Sequence, residues 1–310
     1  MSLLDSSNKT IWPLGYKMKQ TLKRPLLTTV LTASTMTAAT LALMTPAHAS
    51  ECKASYGEGQ TTFRLATGSP GELGLLKVLA DEFNQQHDSR MCWVKAGSGK
   101  SLKLLKSGAV DMVMVHAPGP EKEAVRAGWA AQRTLIGSNE FYLVGPNHDP
   151  AQVSTAKSVA HAYQNVAQKK ADFFSRGDNS GTHKKEQRIW QNAEITPQGS
   201  WYHVTKEFMR ATLRQANQKQ GYFMTDSSTW VAEQAKLDNL SILFKGDPML
   251  INTYHALRTS DLSQPAGRLS QAFIEFVASD KGQKIITEFG QQSFGASLYN
   301  NAEYAQQYVH

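Results

Sequence analysis

Residues 61–83 read TTFRLATGSPGELGLLKVLADEF. Thr62 to Ala66 suits a β-strand, and Thr67-Gly68-Ser69-Pro70-Gly71 is a turn of small residues. Beyond it, Leu75, Leu76, Leu79 and Phe83 recur at helical spacing on one face. Strand, small-residue turn and helix in immediate succession form a βα unit. The same order then repeats. Trp93 to Lys95 is a short strand leading into KAGSGKS at 95–101, and Ser101 to Ser107 reads as a short helix. Asp111 to His116 is a third strand, with the continuous apolar run of a sheet covered on both faces. Phe141 to Val144 is a fourth, closed by Gly145-Pro146. The fold class is therefore α/β, with mostly parallel sheets flanked by helices.

From Asn147 the pattern starts again. Lys157 to Ala167 reads as a helix and Asp172 to Phe174 as a short strand. Ser175-Arg176-Gly177-Asp178 turns away from that strand, and Ser180-Gly181-Thr182 opens a helix running to about Asn192. After Asp247-Pro248 a strand returns at Met249 to Leu257. The helix at Ser270 to Ser279, with Leu269, Phe273, Phe276 and Val277 apolar, should pack on the first part of the chain. We expect two lobes: residues 50–146 with 250–310, and residues 147–249.

The start of the chain is a targeting segment. Lys17, Lys19, Lys23 and Arg24 precede an uncharged run from Leu26 to Met44, and Ala47-His48-Ala49 is a small-x-small cleavage site. That combination is a secretory signal peptide over residues 1–49, with Met1 or Met18 as its first residue. A membrane anchor fits less well, because threonines interrupt the run and Pro46 follows it. A lipoprotein fits poorly, because Glu51 stands before Cys52 where a lipobox needs a small residue. The formal charge is +7, of which the leader supplies +4, leaving about +3 for the exported part. No block of like charges forms a basic stripe, so no nucleic-acid partner is implied. Cys52 and Cys92 are the only two cysteines, and in an oxidising compartment they should pair. A metal site would need further ligands that do not cluster near either cysteine.

KAGSGKS raises the question of a nucleotide. A phosphate loop needs G-x-x-x-x-G-K-[ST], which would put its first glycine at position 94, where Val94 stands. What remains is general: glycines let backbone N–H groups turn inward, and a following helix N-terminus favours an anion. The turn at 175–182 is the only one of the three turns to carry an arginine, whose planar fork suits an oxyanion.

Taken together, LATGSPGELGLLKVLADEF, VKAGSGKSLKLLKSGAVDMVMVHAP, EFYLVGPNHDPA, FFSRGDNSGTHKKEQRIW, TPQGSWYHV, YFMTDSSTW and GDPMLINTYHAL resemble, in order, the extracellular tungstate-binding proteins of ABC importers. The resemblance covers nearly all of 61–290, and SRGDNSGTHKKE is its most specific block. It implies the two-lobed, type II periplasmic-binding-protein fold, with the anion clamped at the hinge. It implies ligand contacts from Thr67 and Ser69, from Ser98 with the backbone of Gly97 and Gly99, and from Arg176, Ser180, Gly181 and Thr182. It implies a periplasmic monomer that hands tungstate, or a similar oxyanion such as molybdate, to an inner-membrane permease, with no cofactor and no metal. The chain departs from the family pattern at Gly68 and Pro70 in the first turn, at Ala117, at Arg210 and at Ser227. Arg210 reads as a residue on a solvated helix face.

Two other readings stand beside this one. The same fold could bind another small anion, or act as a sensor or adhesion module. A secreted hydrolase could use His116 or His183 as base and Ser98 or Ser180 as nucleophile, although no G-x-S-x-G elbow is present.

Overall fold

The computed structural model describes residues 51–309. The leader and the choice between Met1 and Met18 lie outside the described residues. The strands are β1 Ala54–Tyr56, β2 Thr61–Thr67, β3 Ser89–Lys95, β4 Met112–Val115, β5 Ala130–Pro146, β6 Phe173–Ser175, β7 Tyr202–Val204, β8 Tyr222–Asp226, β9 Leu240–Phe244 and β10 Ile251–Thr259. The helices are α1 Ser69–Glu72, α2 Leu75–Asn84, α3 Ser98–Lys106, α4 Pro118–Arg126, α5 Val159–Lys169, α6 Gly181–Asn192, α7 Met209–Lys219, α8 Ser227–Glu233, α9 Pro265–Ala278, α10 Asp280–Glu288, α11 Gln291–Phe294 and α12 Ala302–Gln306.

The strands lie in the order β1-β3-β2-β4-β10-β5-β8-β6-β7, with β9 also on β5. The sheet is mixed. The strands that feed the small-residue turns pair parallel: β2 with β3 and β4, and β6 with β7 and β8. The two long strands β5 and β10 run antiparallel to each other and to their other partners. They are antiparallel because they connect the two halves of the sheet instead of returning through a helix. β5 pairs with β10 up to Glu140 and with β8 from Phe141 onward, so its partner changes within one residue.

Each half has its own interior. Phe63, Leu76, Leu79, Phe83 and Phe273 meet under α2 and α9, with Phe83 and Phe273 edge to face at 5.1 Å. α9 thus returns to the first half, as its apolar face required. Tyr163, Phe173, Ile189, Trp190 and Leu213 fill the second half, beneath α5, α6 and α7. A disulfide joins Cys52 to Cys92, with Cα atoms 5.3 Å apart, and ties the segment before β1 to β3. No helix among the described residues is long and apolar enough to cross a membrane.

Turn chemistry explains where the helices begin. Ser180 caps α6 by accepting from the His183 N–H, and Asp226 caps α8 by accepting from the Thr229 N–H. α3 starts at Ser98, three residues before the Ser101 expected from sequence. Ser98 and Gly99 join the helix, with Gly97 as its N-cap, despite their low intrinsic propensity, because the opposite half of the molecule packs directly on this stretch.

Candidate functional site

Three βα turns meet where the two halves face each other. The β2–α1 turn brings Thr67, Gly68, Ser69 and Pro70. The β3–α3 turn brings Gly97 and Ser98, and the β6–α6 turn brings Arg176 and Ser180. They enclose a small pocket that Met114, His116 and Tyr254 complete. The position is the usual one for an open α/β sheet, outside the carboxyl ends of the strands.

The glycines earn their places by close approach. A Cβ on Gly97 would stand 2.8 Å from the Ser180 Cβ. One on Gly99 would overlap the Asn179 backbone, and one on Gly181 would overlap the His116 ring. The backbone at Gly97 has an ordinary φ of −74°, so space and not conformation demands the glycine there. Bare backbone therefore lets the N-termini of α3 and α6 converge. Their first intrahelical bonds are Ser101 N–H to Gly97 O and Lys184 N–H to Ser180 O. The N–H groups ahead of those bonds point along the helix axes with a favourable dipole for an anion.

Polar bookkeeping separates spent from unspent donors. The Ser98 hydroxyl accepts from the His116 N–H at 3.2 Å, and the Ser180 hydroxyl from the His183 N–H at 3.3 Å. The Ser98 hydroxyl oxygen is thus anchored while its own proton remains to be donated, whereas the Ser180 hydroxyl also bonds the Asp178 carboxylate. Arg176 is only 4% exposed; one Nη donates to Asp178 at 2.6 Å while its buried Nε has no partner. The guanidinium also lies over the Phe208 ring at 5.2 Å. Thr182 is buried with an unpartnered hydroxyl, beside but not lining the pocket, as are Gly99 and Gly181. Two of the expected ligand hydroxyls are otherwise engaged. Thr67 donates to the Met114 carbonyl at 2.8 Å, and Ser69 donates to Asp226 at 3.2 Å across the two halves.

The two nearby carboxylates are sequestered. Burial pushes the Asp178 carboxyl up, but Arg176 and the Ser180 hydrogen bonds more than reverse it, leaving it below the usual range. Asp226 is buried and raised by desolvation, against bonds from Thr229 and Ser69. Among the described residues no carboxylate lines the pocket. Burial, aided by Arg176, pushes His116 down to about 3, so its ring is neutral at any ordinary pH.

The histidines and serines near the pocket are held as follows. The His116 ring Nδ1 is unpartnered, and Ser98 is held by the His116 backbone and not by its side chain. The His183 Nδ1 accepts from the Asn179 N–H at 3.0 Å, and the Ser180 hydroxyl meets the His183 backbone and the Asp178 carboxylate, not the His183 ring. Among the described residues no three His, Cys, Asp or Glu side chains cluster as a metal site would require.

A PBP superfamily domain matches residues 54–281. The tungstate-binding protein TupA of Peptoclostridium acidaminophilum is 33% identical over 237 residues, 75% of this chain and 82% of its own. The chain belongs to the tungstate-binding-protein family of the PBP superfamily. Solved structures agree. The tungstate-binding protein TupA of Desulfovibrio alaskensis is 36% identical, with a TM-score of 0.65 over 78% of this chain and 98% of that one. The tungstate ABC transporter structure of Geobacter sulfurreducens is 33% identical, with a TM-score of 0.67 over 75% of this chain and 100% of that one.

Set in that family, the departures sort by position. Gly68 and Pro70 line the pocket itself. Ala117 is the N-cap residue of α4, two residues past β4, its N–H bonded to Glu121 at 2.5 Å. Ser227 and Arg210 lie outside the pocket. The Ser227 hydroxyl accepts from the Glu140 N–H at 3.4 Å. Arg210 does not sit on a purely solvated face: its Nε donates at 2.8 Å to Glu233, a carboxylate buried under α7 and α8 that Arg214 also pairs. Tyr254 and Met114 were not foreseen as lining residues. They come from strands, not turns, and only the tertiary fold aims them inward.

Proposed function

We propose that the protein captures a tetrahedral oxyanion dianion, tungstate or the near-equivalent molybdate, between its two halves and presents it to an ABC importer permease. One observation carries this reading. Ser98, Ser180 and Arg176, from both halves, surround one pocket in which the Ser98 hydroxyl proton and the Arg176 Nε are unspent and which, among the described residues, no carboxylate lines. A fully deprotonated dianion needs only donors. Hydrogen phosphate carries a proton of its own and would want an acceptor. Each charge-assisted bond contributes roughly 1.5–3 kcal/mol. Several of them, less the cost of ordering two halves, support a dissociation constant of about a micromolar or tighter.

The hinge of this capture device is the pair of strands that cross between the halves. We assign it to the partner change in β5 at Glu140–Phe141 and to the start of β10 at Ile251. There Asn252 donates to Asn139 at 2.7 Å, and Asn139 donates to Ser228 at 2.6 Å, so a buried amide chain sits at the pivot. Rotation about two such crossings opens and closes a cleft without disturbing either core. The protein has no catalytic role in this reading; it works as a periplasmic monomer.

A thermal-shift panel on the exported protein tests the function. Tungstate and molybdate should raise the melting temperature, since a ligand at 1,000 times its dissociation constant adds about 4 kcal/mol. Phosphate should do so far less. A panel in which no oxyanion shifts the transition, or in which ester substrates turn over, would overturn the reading.

A further inference from the structure

A second cavity, of about 480 Å³, lies away from the pocket, where β5, α6 and the segment leading into β10 come together with the end of the described chain. Its walls carry three cations, Arg133, Lys185 and Arg188. Among the described residues, the carboxylate that pairs with one of them is Glu121, which is fully buried and holds Arg133 at 2.9 Å. Lys185 donates to the Ile251 carbonyl at 3.0 Å. Burial, aided by Arg188, pushes the Lys185 ammonium down to about 8, so an anion in the cavity would relieve it. The remaining walls are largely apolar: Pro118, Met249, Ile251 and Val309. Cavities of this volume hold small organic molecules, and the oxyanion pocket is far smaller.

We propose that this cavity is a second anion site, for a small organic anion whose carboxylate or phosphate meets Arg133, Lys185 and Arg188 and whose body packs on the apolar wall.

Such a ligand would bridge the halves, because Arg133 stands on β5 beside β10 while Lys185 and Arg188 stand on α6. Both arms reach the oxyanion pocket through short connections. Arg133 holds Glu121, Glu121 accepts from the Ala117 N–H, and the next residue back, His116, bonds Ser98. On the other arm, α6 begins at the Ser180 cap. Binding that fixes the halves closed raises affinity at both sites, and the coupling is reciprocal. This coupling rests on the proposed oxyanion capture; the second site itself does not.

Calorimetry on the exported protein tests both parts. Phenyl phosphate, benzoate, citrate and inorganic phosphate are titrated at up to millimolar concentrations, with and without saturating tungstate. At least one organic anion should bind one to one in the tungstate-saturated protein, and phenyl phosphate should bind more tightly than inorganic phosphate. Arg188→Gln, at an exposed position that should not disturb folding, should weaken that event about tenfold or more and leave tungstate binding alone unchanged. Organic-anion affinity should also rise when tungstate is present. The second site is overturned if none of the four binds, if Arg188→Gln binds them equally, or if inorganic phosphate matches phenyl phosphate. If the organic anion binds but tungstate does not, the capture reading fails and the second site stands.

Discussion

Arg176→Ala removes the only cation that lines the oxyanion pocket among the described residues. The guanidinium is 4% exposed, so water does not replace it. The dianion would then be held by dipoles and hydroxyls alone. Truncating one member of such a buried pair costs roughly 2–5 kcal/mol, a loss of about thirtyfold to several thousandfold in affinity. A second effect follows from the structure. Asp178 loses the partner that holds its carboxyl down and stands beside the ligand as a less compensated acid. Repulsion from that carboxylate pushes the loss toward the upper end. Arg176→Lys should recover only part of the affinity, since an ammonium cannot serve Asp178 and the anion with parallel bonds. Lys100 is the control. It is exposed on α3, one residue past the glycine pair, and Lys100→Ala should change affinity by under about 1 kcal/mol. Calorimetric titration of tungstate into the three variants, with melting curves to confirm folding, measures all of this. A folded Arg176→Ala that binds like wild type, beside a Lys100→Ala that does not bind, would refute the assignment of charge in this site.

Gly97→Ala puts a Cβ 2.8 Å from that of Ser180, so the halves must part to relieve it; affinity should fall by about 1–3 kcal/mol while the fold survives, and calorimetry with unchanged affinity would count against closure. Replacing Cys52 and Cys92 by Ser opens a closed loop with a separation of 40 residues and should cost about 3–4 kcal/mol, read as a lowered denaturation midpoint. Glu186 is raised to about 7 by burial, against hydrogen bonds from Tyr202, Ser175 and Trp190. Below about 4.5 its carboxyl is protonated folded or unfolded; between about 4.5 and 7 only the unfolded chain gives up the proton, so stability falls across that window by up to about 3 kcal/mol and then levels. Denaturation at a series of pH values should show this fall in wild type relative to Glu186→Gln, and parallel curves would refute the shift.

The parts of the fold that sequence discloses are the ones set by local chemistry. The three small-residue turns, the α2 and α9 apolar faces and the Ser180 cap each depend on residues within a few positions of one another. The cysteine pair was legible for a different reason, since the sequence holds two thiols and one way to join them. What could not be read depends on distant partners. β5 runs for 17 residues because β10 lies against its first half and β8 and β9 against its second, from more than 75 positions away. α3 begins early because Asn179 and Ser180 pack on its glycines, which no local propensity reports. Thr67 and Ser69 have the right residue type for the site, yet Met114 and Asp226 take their protons. Arg210 looks solvated until Glu233, 23 positions away, is seen beneath it.

The central claim is that a metal oxyanion sits between Ser98, Ser180 and Arg176. Crystals grown with tungstate and measured at the tungsten absorption edge test it directly, because the anomalous signal locates the metal without reference to any assumed ligand. One strong peak is expected within the small pocket, with hydrogen bonds to the Ser98 and Ser180 hydroxyls and to the Nε of Arg176. A peak elsewhere in the molecule, or none in crystals soaked at concentrations far above micromolar, would contradict it.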